Sequence, residues 1–307
     1  MIIRQLAYLD ALARERHFRK AAEACNVSQP TLSAAIAQLE REFGAQLVAR
    51  GRRFEGLTRE GEAVLAHARR VLAEVDAMGD ALAELREGIG GRLTIGAVPT
   101  ALPMIAGVTA PFLARYPGVA LTILSQTSVE IQRGLDAFEI DVGLTYLDNE
   151  PLERVVSKPI YVEGYLLLTR ADGPLASRDE IGWAEAARLR LCLLTPDMQN
   201  RRIVDGTFRS VGAAPVPVME TNSIFSLVSH AGVEGLASVV SEPVVDFIGL
   251  PAGVKALRLV KPMARRTVGL VAADRTHMPP LARKLFELAR PLPPRRDGNG
   301  EATTKRR

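Results

Sequence analysis

The residues at positions 28–38 carry side chains that can hydrogen-bond the edges of DNA bases. Ser28 is a favoured helix N-cap, and Pro30 fits the first turn of the helix that would follow it. Glutamine, serine and threonine side chains bond to base edges and phosphates, and a small alanine allows close approach to thymine methyl groups. The residues predicted to face DNA from this helix are Ser28, Gln29, Pro30, Thr31, Ser33, Ala34, Ala37 and Gln38.

Three short helices are needed to present that face. Apolar residues recur at helical spacing from Ile2, residues 18–24 form an alanine-rich second helix, and the third helix ends at Gly44. A helix-turn-helix places the second helix of such a pair in the major groove. The spacing therefore predicts a helix-turn-helix, and a plain three-helix bundle with a solvated polar face is the alternative.

Basic residues next to these helices are predicted to contact the DNA backbone. Residues 45–57 are short, basic and interrupted by glycine, which predicts a small two-stranded wing. Residues 1–60 also carry more Lys and Arg than Asp and Glu, in a chain with a net charge of only +4. The predicted contacts are Phe18, Arg19 and Lys20 on the second helix and Arg50, Arg52 and Arg53 on the wing.

Residues 58–88 repeat an apolar residue with alternating steps of four and three. A strict 3.5-residue period on such a charged segment predicts a long helix that pairs with the same helix of a second chain. Packing within one globule is the alternative, and Gly79 is a weak point in the helix. The predicted seam consists of Val64, Ala68, Val71, Val75, Met78, Leu82 and Leu85.

After the glycine-rich residues 88–91, predicted strands and helices alternate in two successive blocks, which indicates parallel α/β sheets. Ligands of such sheets bind beyond the carboxyl ends of the strands, where the next helices begin. Short polar groups at those places suit a small anionic metabolite, although they are also ordinary N-caps. The predicted effector-binding residues are Pro99, Thr100, Ala101, Thr127, Ser128, Gln199, Asn200, Arg201, Thr221 and Asn222.

Several classes of protein do not fit this sequence. Its two cysteines, Cys25 and Cys192, cannot form a disulfide framework, and its four histidines have no metal-ligand spacing. No catalytic cluster stands out, so we predict neither an enzyme nor a cofactor. The N-terminus lacks the apolar core of a signal peptide, and no segment is apolar enough to cross a membrane, so we expect the chain in the cytoplasm.

Several spaced motifs resemble those of the LysR-type transcriptional regulators. They are the alanine pair at 21–22, SQPTLS at 28–33, IAQLE at 36–40, GAQLVAR at 44–50, and the threonine and glycine of TREG at 58–61. The layout of the remaining chain also fits, so the resemblance covers about residues 1–293. It implies an α/β fold class with an all-α winged helix-turn-helix and a two-subdomain effector domain that resembles periplasmic binding proteins. Effector sites of the family fall at the positions of Thr100, Thr127 and residues 199–201.

The resemblance also implies a domain order and a set of partners. The order is a winged helix-turn-helix at 1–58, a dimerising linker helix and hinge at 59–90, an effector domain at 91–293 and a disordered basic tail at 294–307. The partners would be double-stranded DNA with a partly palindromic promoter site, a small-molecule effector and RNA polymerase. The chain would act as a homodimer or homotetramer.

The identity of the effector is open to more than one interpretation. The N-terminal half resembles regulators encoded beside formate dehydrogenase genes, so formate or another short carboxylate is the predicted effector. The same half is close to the peroxide sensors of the family, and a thiol- or peroxide-responsive regulator is the alternative. The turn corresponding to their sensor cysteine reads TPDMQNRR here, and Cys192 lies in an apolar strand. A solute-binding transport protein shares the architecture but would need export.

Overall fold

The computed structural model describes residues 1–49, 54–87, 90–275 and 278–293, and the chain divides into two compact units at residues 90 and 91. The side chains of residues 76, 80, 81 and 83–87 are outside this description. The helices of the first unit are α1 (Ile3–Glu15), α2 (Phe18–Ala24), α3 (Gln29–Phe43) and α4 (Arg59–Glu87).

The third helix begins and ends where its capping residues dictate. The hydroxyl oxygen of Ser28 accepts a hydrogen bond from the backbone N–H of Thr31 at 3.3 Å, which satisfies a donor that the helix itself leaves free. Gly44 ends the helix at φ +63°, a conformation that glycine adopts without strain. Leu32, Ile36 and Leu39 are buried between these caps and hold the helix in the core of the first unit.

The chain after α3 is fixed by a carboxylate. Glu40 accepts hydrogen bonds from the backbone N–H groups of Leu47 and Val48 at 2.9 and 3.1 Å. Val48 then pairs with Leu57 in an antiparallel bridge, which is the described part of the predicted wing. Arg50, Arg52 and Arg53 lie outside the described residues.

The start of α4 depends on a threonine and a glycine three residues apart. The hydroxyl of Thr58 accepts a hydrogen bond from the N–H of Gly61 at 2.9 Å and donates to the carbonyl of Gln46. A Cβ atom at position 61 would lie 2.0 Å from the carbonyl oxygen of Leu47. Only glycine therefore allows this helix to pack directly against the backbone of Leu47.

We expect Gly61→Ala to lower the free energy of unfolding of the first unit by about 2 kcal/mol, because the new methyl group displaces backbone. Gly79→Ala is the matched control on the same helix, since a Cβ there meets nothing within 4 Å. That control should stabilise the helix by about 0.5–1 kcal/mol. Urea unfolding followed by circular dichroism at 222 nm measures both. Equal effects of the two substitutions would contradict the packing described for Gly61.

The second unit contains eleven described strands, distributed over two sheets. The elements of its first half are β1 (Gly90–Ala97), a 3-10 helix (Pro99–Ala101), α5 (Leu102–Arg115), β2 (Gly118–Ser125), α6 (Ser128–Asp136), β3 (Val142–Tyr146) and β4 (Val155–Glu163). The next elements are β5 (Tyr165–Arg170), β6 (Glu180–Gly182), α7 (Trp183–Ala186), β7 (Arg190–Leu194), α8 (Gln199–Ser210) and β8 (Met219–Thr221). The last are α9 (Ile224–His230), β9 (Leu236–Ser241), α10 (Glu242–Ile248), β10 (Val254–Val260), β11 (Arg266–Ala273) and α11 (Pro280–Leu288).

The strand order is β2-β1-β3-β11-β4 in the first sheet and β6-β10-β5-β9-β7-β8 in the second. In the first sheet β3 is parallel to β1, whereas β11 runs antiparallel to both β3 and β4. In the second sheet β7 is parallel to β8 and β9, and β5 is antiparallel to β9 and β10. The chain crosses between the sheets after β4 and again after β10, so the two subdomains are joined by two short crossovers.

The parallel pairs expected from the helical crossovers are present, and both sheets also contain antiparallel strands. Strands β4 and β10 and helix α10 were not predicted at all. Strand β4 contains Pro159 and lies at the edge of its sheet, where proline is tolerated, so its sequence does not resemble a buried strand. In the second sheet, β6 leads directly into the short α7, which begins at Trp183.

The cores of the second unit are assembled across the sheets. Leu168, Cys192 and Leu227 belong to one buried cluster between the second sheet and its helices. Trp183 is fully buried, its ring contacts those of Tyr165 and Phe208, and its indole N–H donates to the carbonyl of Pro262 at 3.0 Å. Among the described helices, none combines the length and the apolar character that a membrane span requires.

Candidate functional site

The polar face predicted on α3 lies outside the hydrophobic core and is largely exposed. Ser28, Gln29, Pro30, Thr31, Ala34 and Gln38 are exposed, and Ser33 and Ala37 are half-buried. Some of these side chains are partly engaged: the hydroxyls of Ser28 and Thr31 lie 2.8 Å apart, and Gln38 donates to the carboxylate of Glu42 at 3.2 Å. The face is therefore a helix N-terminus with small polar side chains, which is the form a groove-binding helix takes.

The predicted contacts on α2 differ among themselves. Lys20 is exposed, and the Arg19 guanidinium is paired with Glu23 at 2.8 Å on the protein surface. Phe18 is half-buried and its ring meets that of Phe54 edge to face at 6.3 Å. Phe18 therefore packs the wing residue Phe54 against α2, and both cations of α2 are exposed.

The heptad seam of α4 has two different environments. Ala68 is buried and Val64 packs against the core of the same unit, which is the alternative that the sequence left open. A partly buried ion pair between Arg69 and Asp10, at 2.6 Å, holds this part of α4 against α1. Farther along, Val71, Met78 and Leu82 are exposed, Val75 is half-buried, and the side chain of Leu85 lies outside the description.

Five of the predicted effector-binding residues line one narrow pocket in the second unit, which we call the effector pocket. It lies where β1 and β7 end and where the 3-10 helix, α6 and α8 begin. It leaves space for about one water molecule or a ligand of similar size. Its lining consists of Val98, Pro99, Thr100, Thr127, Leu194, Met198, Gln199 and Asn200.

A tyrosine that the sequence did not single out connects the two sides of the effector pocket. The hydroxyl of Tyr146, at the end of β3, lies 2.9 Å from that of Thr100 and accepts from the amide of Asn200 at 2.8 Å. The same hydroxyl donates to Glu163 at 2.7 Å. The buried hydroxyl of Tyr146 thus contacts a residue of each subdomain and also Glu163. Glu163 is the last residue of β4, directly before the first crossover between the sheets.

The start of α8 is also tied to the segment after β3. The side-chain carbonyl of Gln199 accepts from the hydroxyl of Thr145 at 3.0 Å, and its amide donates to the backbone carbonyls of Asn149 and Glu150. Arg202 pairs with the carboxylate of Glu150 at 2.7 Å. Gln199 therefore lies on the pocket with its amide group already engaged.

The other predicted effector-binding residues have different surroundings. Arg201 is buried and pairs with Asp205 at 2.9 Å and Glu220 at 2.6 Å, so its charge is already balanced. Ser128 accepts from Arg202 at 3.3 Å, and Thr221 accepts from the N–H of Ser223 at 3.1 Å. Ala101 is buried in the 3-10 helix, and Asn222 lines a separate, mostly apolar cavity.

Burial raises the pKa of Glu163 to about 8. The hydrogen bond from Tyr146 opposes this effect, and the negative charge of Glu242 adds to it. Glu163 is consequently a neutral acid below that pH, surrounded by Tyr146, Tyr161 and Tyr165, whose own pKa values burial raises well above the ordinary range. The sequence signal was weak: a single glutamate at the end of an apolar strand, before Gly164.

Neither cysteine lines the effector pocket. Cys192 is fully buried in the second unit, and burial raises the pKa of its thiol, opposed by its hydrogen bond with Ser238. Cys25 is half-buried in the first unit, and burial raises the pKa of its thiol as well. A raised thiol pKa lowers the reactive thiolate fraction, so both cysteines are poorly suited to react with oxidants.

The chain matches two family models in the expected order. Residues 3–62 match the bacterial regulatory helix-turn-helix protein model of the lysR family, and residues 86–292 match the LysR substrate binding domain. The DNA-binding transcriptional dual regulator OxyR of Escherichia coli K12 is 31% identical over 306 residues, with 99% of each chain covered. The hydrogen peroxide-inducible genes activator of Haemophilus influenzae is 29% identical, with 88% of this chain and 90% of the relative covered.

Solved structures share the same fold. A full-length OxyR variant from Pseudomonas aeruginosa superposes with a TM-score of 0.75 at 25% identity, covering 94% of this chain and 97% of that one. Full-length CbnR in complex with its target DNA superposes with a TM-score of 0.67 at 22% identity, covering 94% and 99%. With both family models matched and a full-length relative above 30% identity, this chain belongs to the LysR family of DNA-binding transcriptional regulators.

Proposed function

We propose that this regulator controls transcription in response to peroxide, with a small polar molecule held in the effector pocket as the signal. The single observation that supports this class is the full-length similarity, at 31% identity, to relatives named as hydrogen peroxide-inducible activators. The formate interpretation rests on the N-terminal half alone and is therefore less well supported.

The positions of the two cysteines bear on how the regulator would sense its signal. Because Cys192 is buried and no cysteine is among the described residues of the effector pocket, we propose that the signal is bound there reversibly and that no disulfide forms. Hydrogen peroxide has two heavy atoms, which suits the small volume of the pocket. A short carboxylate is the second candidate, since the amides at the starts of α6 and α8 favour an anion.

Our proposal for the assembly keeps the domain limits expected from the sequence, at 1–58, 59–90, 91–293 and 294–307. Two chains pair through the exposed part of the α4 seam, and the paired α3 helices bind a partly palindromic promoter site in successive major grooves. A homotetramer and contact with RNA polymerase complete the proposal. The exposure of Val71, Met78 and Leu82 supports the pairing.

The test measures DNA binding by fluorescence anisotropy with a duplex selected for affinity, at fixed salt, with hydrogen peroxide or formate added. We expect peroxide to shift the affinity several-fold in the wild type and in a Cys25→Ser, Cys192→Ser double variant. Thr100→Val should abolish the shift, because it removes a pocket hydroxyl. Thr109→Val is the matched control, a buried threonine on α5 that bonds only to the carbonyl of Ile105.

The outcomes separate the candidates. Loss of the peroxide response in the double cysteine variant would contradict reversible binding and support a thiol mechanism. A response to formate alone would favour the short carboxylate. A peroxide response that Thr100→Val and Thr109→Val leave equally intact would show that the effector pocket is not involved.

A further inference from the structure

A cavity lies at the edge of the second sheet opposite to the effector pocket, and we call it the distal cavity. The effector pocket is at the carboxyl end of β7, at Leu194, whereas the distal cavity is beside the amino end of β7, at Leu189. The end of β5 and the start of β9 also meet there, because these two strands are antiparallel. The distal cavity has a volume of about 310 Å³, which is at the lower end of the range for small-molecule sites.

The wall of the distal cavity is mostly apolar. Its apolar side chains come from the turns after β5, from the residue before β7 and from the start of β9, and they are Pro174, Leu175, Leu189, Leu236 and Ala237. Ala237 is buried and the three leucines are half-buried, so part of this wall is still accessible. An apolar group of a ligand would gain free energy by covering these side chains.

The loop after β5 is held in place by hydrogen bonds to its backbone. The N–H of Ala176 donates to the carbonyl of Gly173 at 3.0 Å, and the carbonyl of Ala176 accepts from the ammonium group of Lys255 at 2.8 Å. The N–H of Arg178 donates to the carbonyl of Leu175 at 3.1 Å. These bonds fix the backbone on both sides of Leu175, so a ligand would not have to order this part of the wall.

Two charges of opposite sign at the distal cavity are left without a partner. Glu234 lines the cavity, and Arg190 lies beside it, since a Cβ atom on Gly235 would be 3.7 Å from Nη1 of Arg190. Within the described part of the chain, neither side chain forms a hydrogen bond or an ion pair. Arg170, another cation of the lining, is already bound to Asp172 through two hydrogen bonds at 2.7 and 2.5 Å. The distal cavity thus has one free carboxylate and one free guanidinium next to an apolar wall.

The positions of these two charges suit the two charged groups of a zwitterion. Arg190 is paired with Leu236 of the neighbouring strand, and Glu234 precedes Leu236 by two residues. Neighbouring strands are about 4.8 Å apart, so one small ligand can reach both charges. An ammonium group binds well to a carboxylate, and a carboxylate group binds well to a guanidinium.

We propose that the distal cavity binds an α-amino acid with an apolar side chain. The ammonium group of the ligand pairs with Glu234, its carboxylate pairs with Arg190, and its side chain covers Leu175 and the other apolar residues of the wall. This site goes beyond the proposed function, because it takes a second ligand whatever the identity of the effector. The rule that ligands bind beyond the carboxyl ends of parallel strands does not lead to it, since the distal cavity is at the other edge of the sheet.

The test compares four probes by isothermal titration calorimetry on the full chain: L-leucine, glycine, isoamylamine and isocaproate. Glycine lacks the apolar side chain of leucine, isoamylamine lacks its carboxylate, and isocaproate lacks its ammonium group. We expect L-leucine to bind about tenfold tighter, or better, than each of the other three, because each of them loses either the apolar contact or one charge-assisted hydrogen bond.

Glu234→Gln and Arg190→Gln should each weaken the binding of L-leucine about tenfold or more, since each removes one charged partner. Both positions are exposed, so the fold should tolerate the changes. Glu153→Gln changes another exposed carboxylate of the second unit and is the matched control, which should leave the affinity unchanged. Thr100→Val alters the effector pocket and should also leave the affinity for L-leucine unchanged.

Three results would overturn this inference: no saturable binding of L-leucine, similar binding of all four probes, or binding that both Glu234→Gln and Arg190→Gln leave intact. Loss of L-leucine binding in Thr100→Val without loss in Glu234→Gln would also overturn it, because the ligand would then occupy the effector pocket. The response of DNA binding to peroxide is measured separately, so a failure of either proposal leaves the other standing.

Discussion

Met78→Asp should convert the protein from a dimer into a monomer and lower its affinity for a selected duplex more than about a hundredfold, because one recognition helix can no longer assist the other. Met78 is 61% exposed within its own unit, so the folded monomer should tolerate the change. An aspartate in a paired apolar seam, by contrast, would be a buried and unpaired charge. Sedimentation equilibrium gives the association state, and fluorescence anisotropy gives the affinity.

Ala66→Asp is the matched control for the seam. Ala66 is an exposed residue of the same helix, on the side away from the seam, and the same charge is introduced there. We expect this variant to remain dimeric and to bind DNA within about twofold of the wild type, since an exposed helix substitution costs little. A Met78→Asp protein that stays dimeric would show that α4 does not carry the pairing.

Glu163→Gln should stabilise the second unit at neutral pH by about 3 kcal/mol, because it removes an acid that must stay protonated in the fold. Its pKa is raised from an ordinary value of 4.5 to about 8. The unfolded chain therefore loses this proton at lower pH than the folded chain, and the free energy of unfolding falls as the pH rises from 4.5 to about 8. Glutamine keeps a carbonyl oxygen to accept the hydrogen bond of Tyr146.

Urea unfolding at pH 5 and pH 7.5 measures this difference. The single tryptophan, Trp183, is buried in the second unit, so its fluorescence reports the unfolding of that unit. The variant and the wild type should be nearly equal at pH 5 and separate at pH 7.5. Glu153→Gln, at an exposed carboxylate, is the control and should change neither value. Parallel pH dependence of the wild type and Glu163→Gln would refute a neutral Glu163.

The DNA-binding half could be predicted from the sequence because its determinants are local. Ser28 and Gly44 mark the ends of α3 by capping chemistry, and the spacing of Leu32, Ile36 and Leu39 sets the buried face. The seam was harder to assign, because the same heptad serves the core at Ala68 and is exposed at Met78. A heptad pattern does not distinguish residues that pack in the core of their own chain from residues that pack against a second chain.

The effector half could be predicted only in part. The rule that ligands lie beyond the ends of parallel strands located Thr100, Thr127, Gln199 and Asn200, which do line one pocket. Tyr146 and Glu163 were missed, because their meeting depends on the edge strand β4, which the sequence did not indicate.

Arg201 illustrates a different limit of sequence reasoning. It is predicted to bind an anionic effector, and the structure places it buried, with Asp205 and Glu220 as ion-pair partners. The pairing with Asp205 is a spacing of four residues along α8, so the local part of this arrangement was visible in the sequence. The contact with Glu220 depends on the parallel pairing of β7 and β8, so it was not visible in the sequence.

Selection of binding sites from a random duplex library tests the central claim, that paired α3 helices read a specific DNA sequence. The full chain is incubated with the library at fixed salt, and bound duplexes are sequenced over successive rounds. We predict enrichment of a partly palindromic site with half-sites separated by about one helical turn, 10–10.5 base pairs, or a multiple of it, and loss of the paired half-sites with Met78→Asp. Binding that weakens steeply with salt but enriches no sequence would contradict the account, because phosphate contacts alone show no sequence preference.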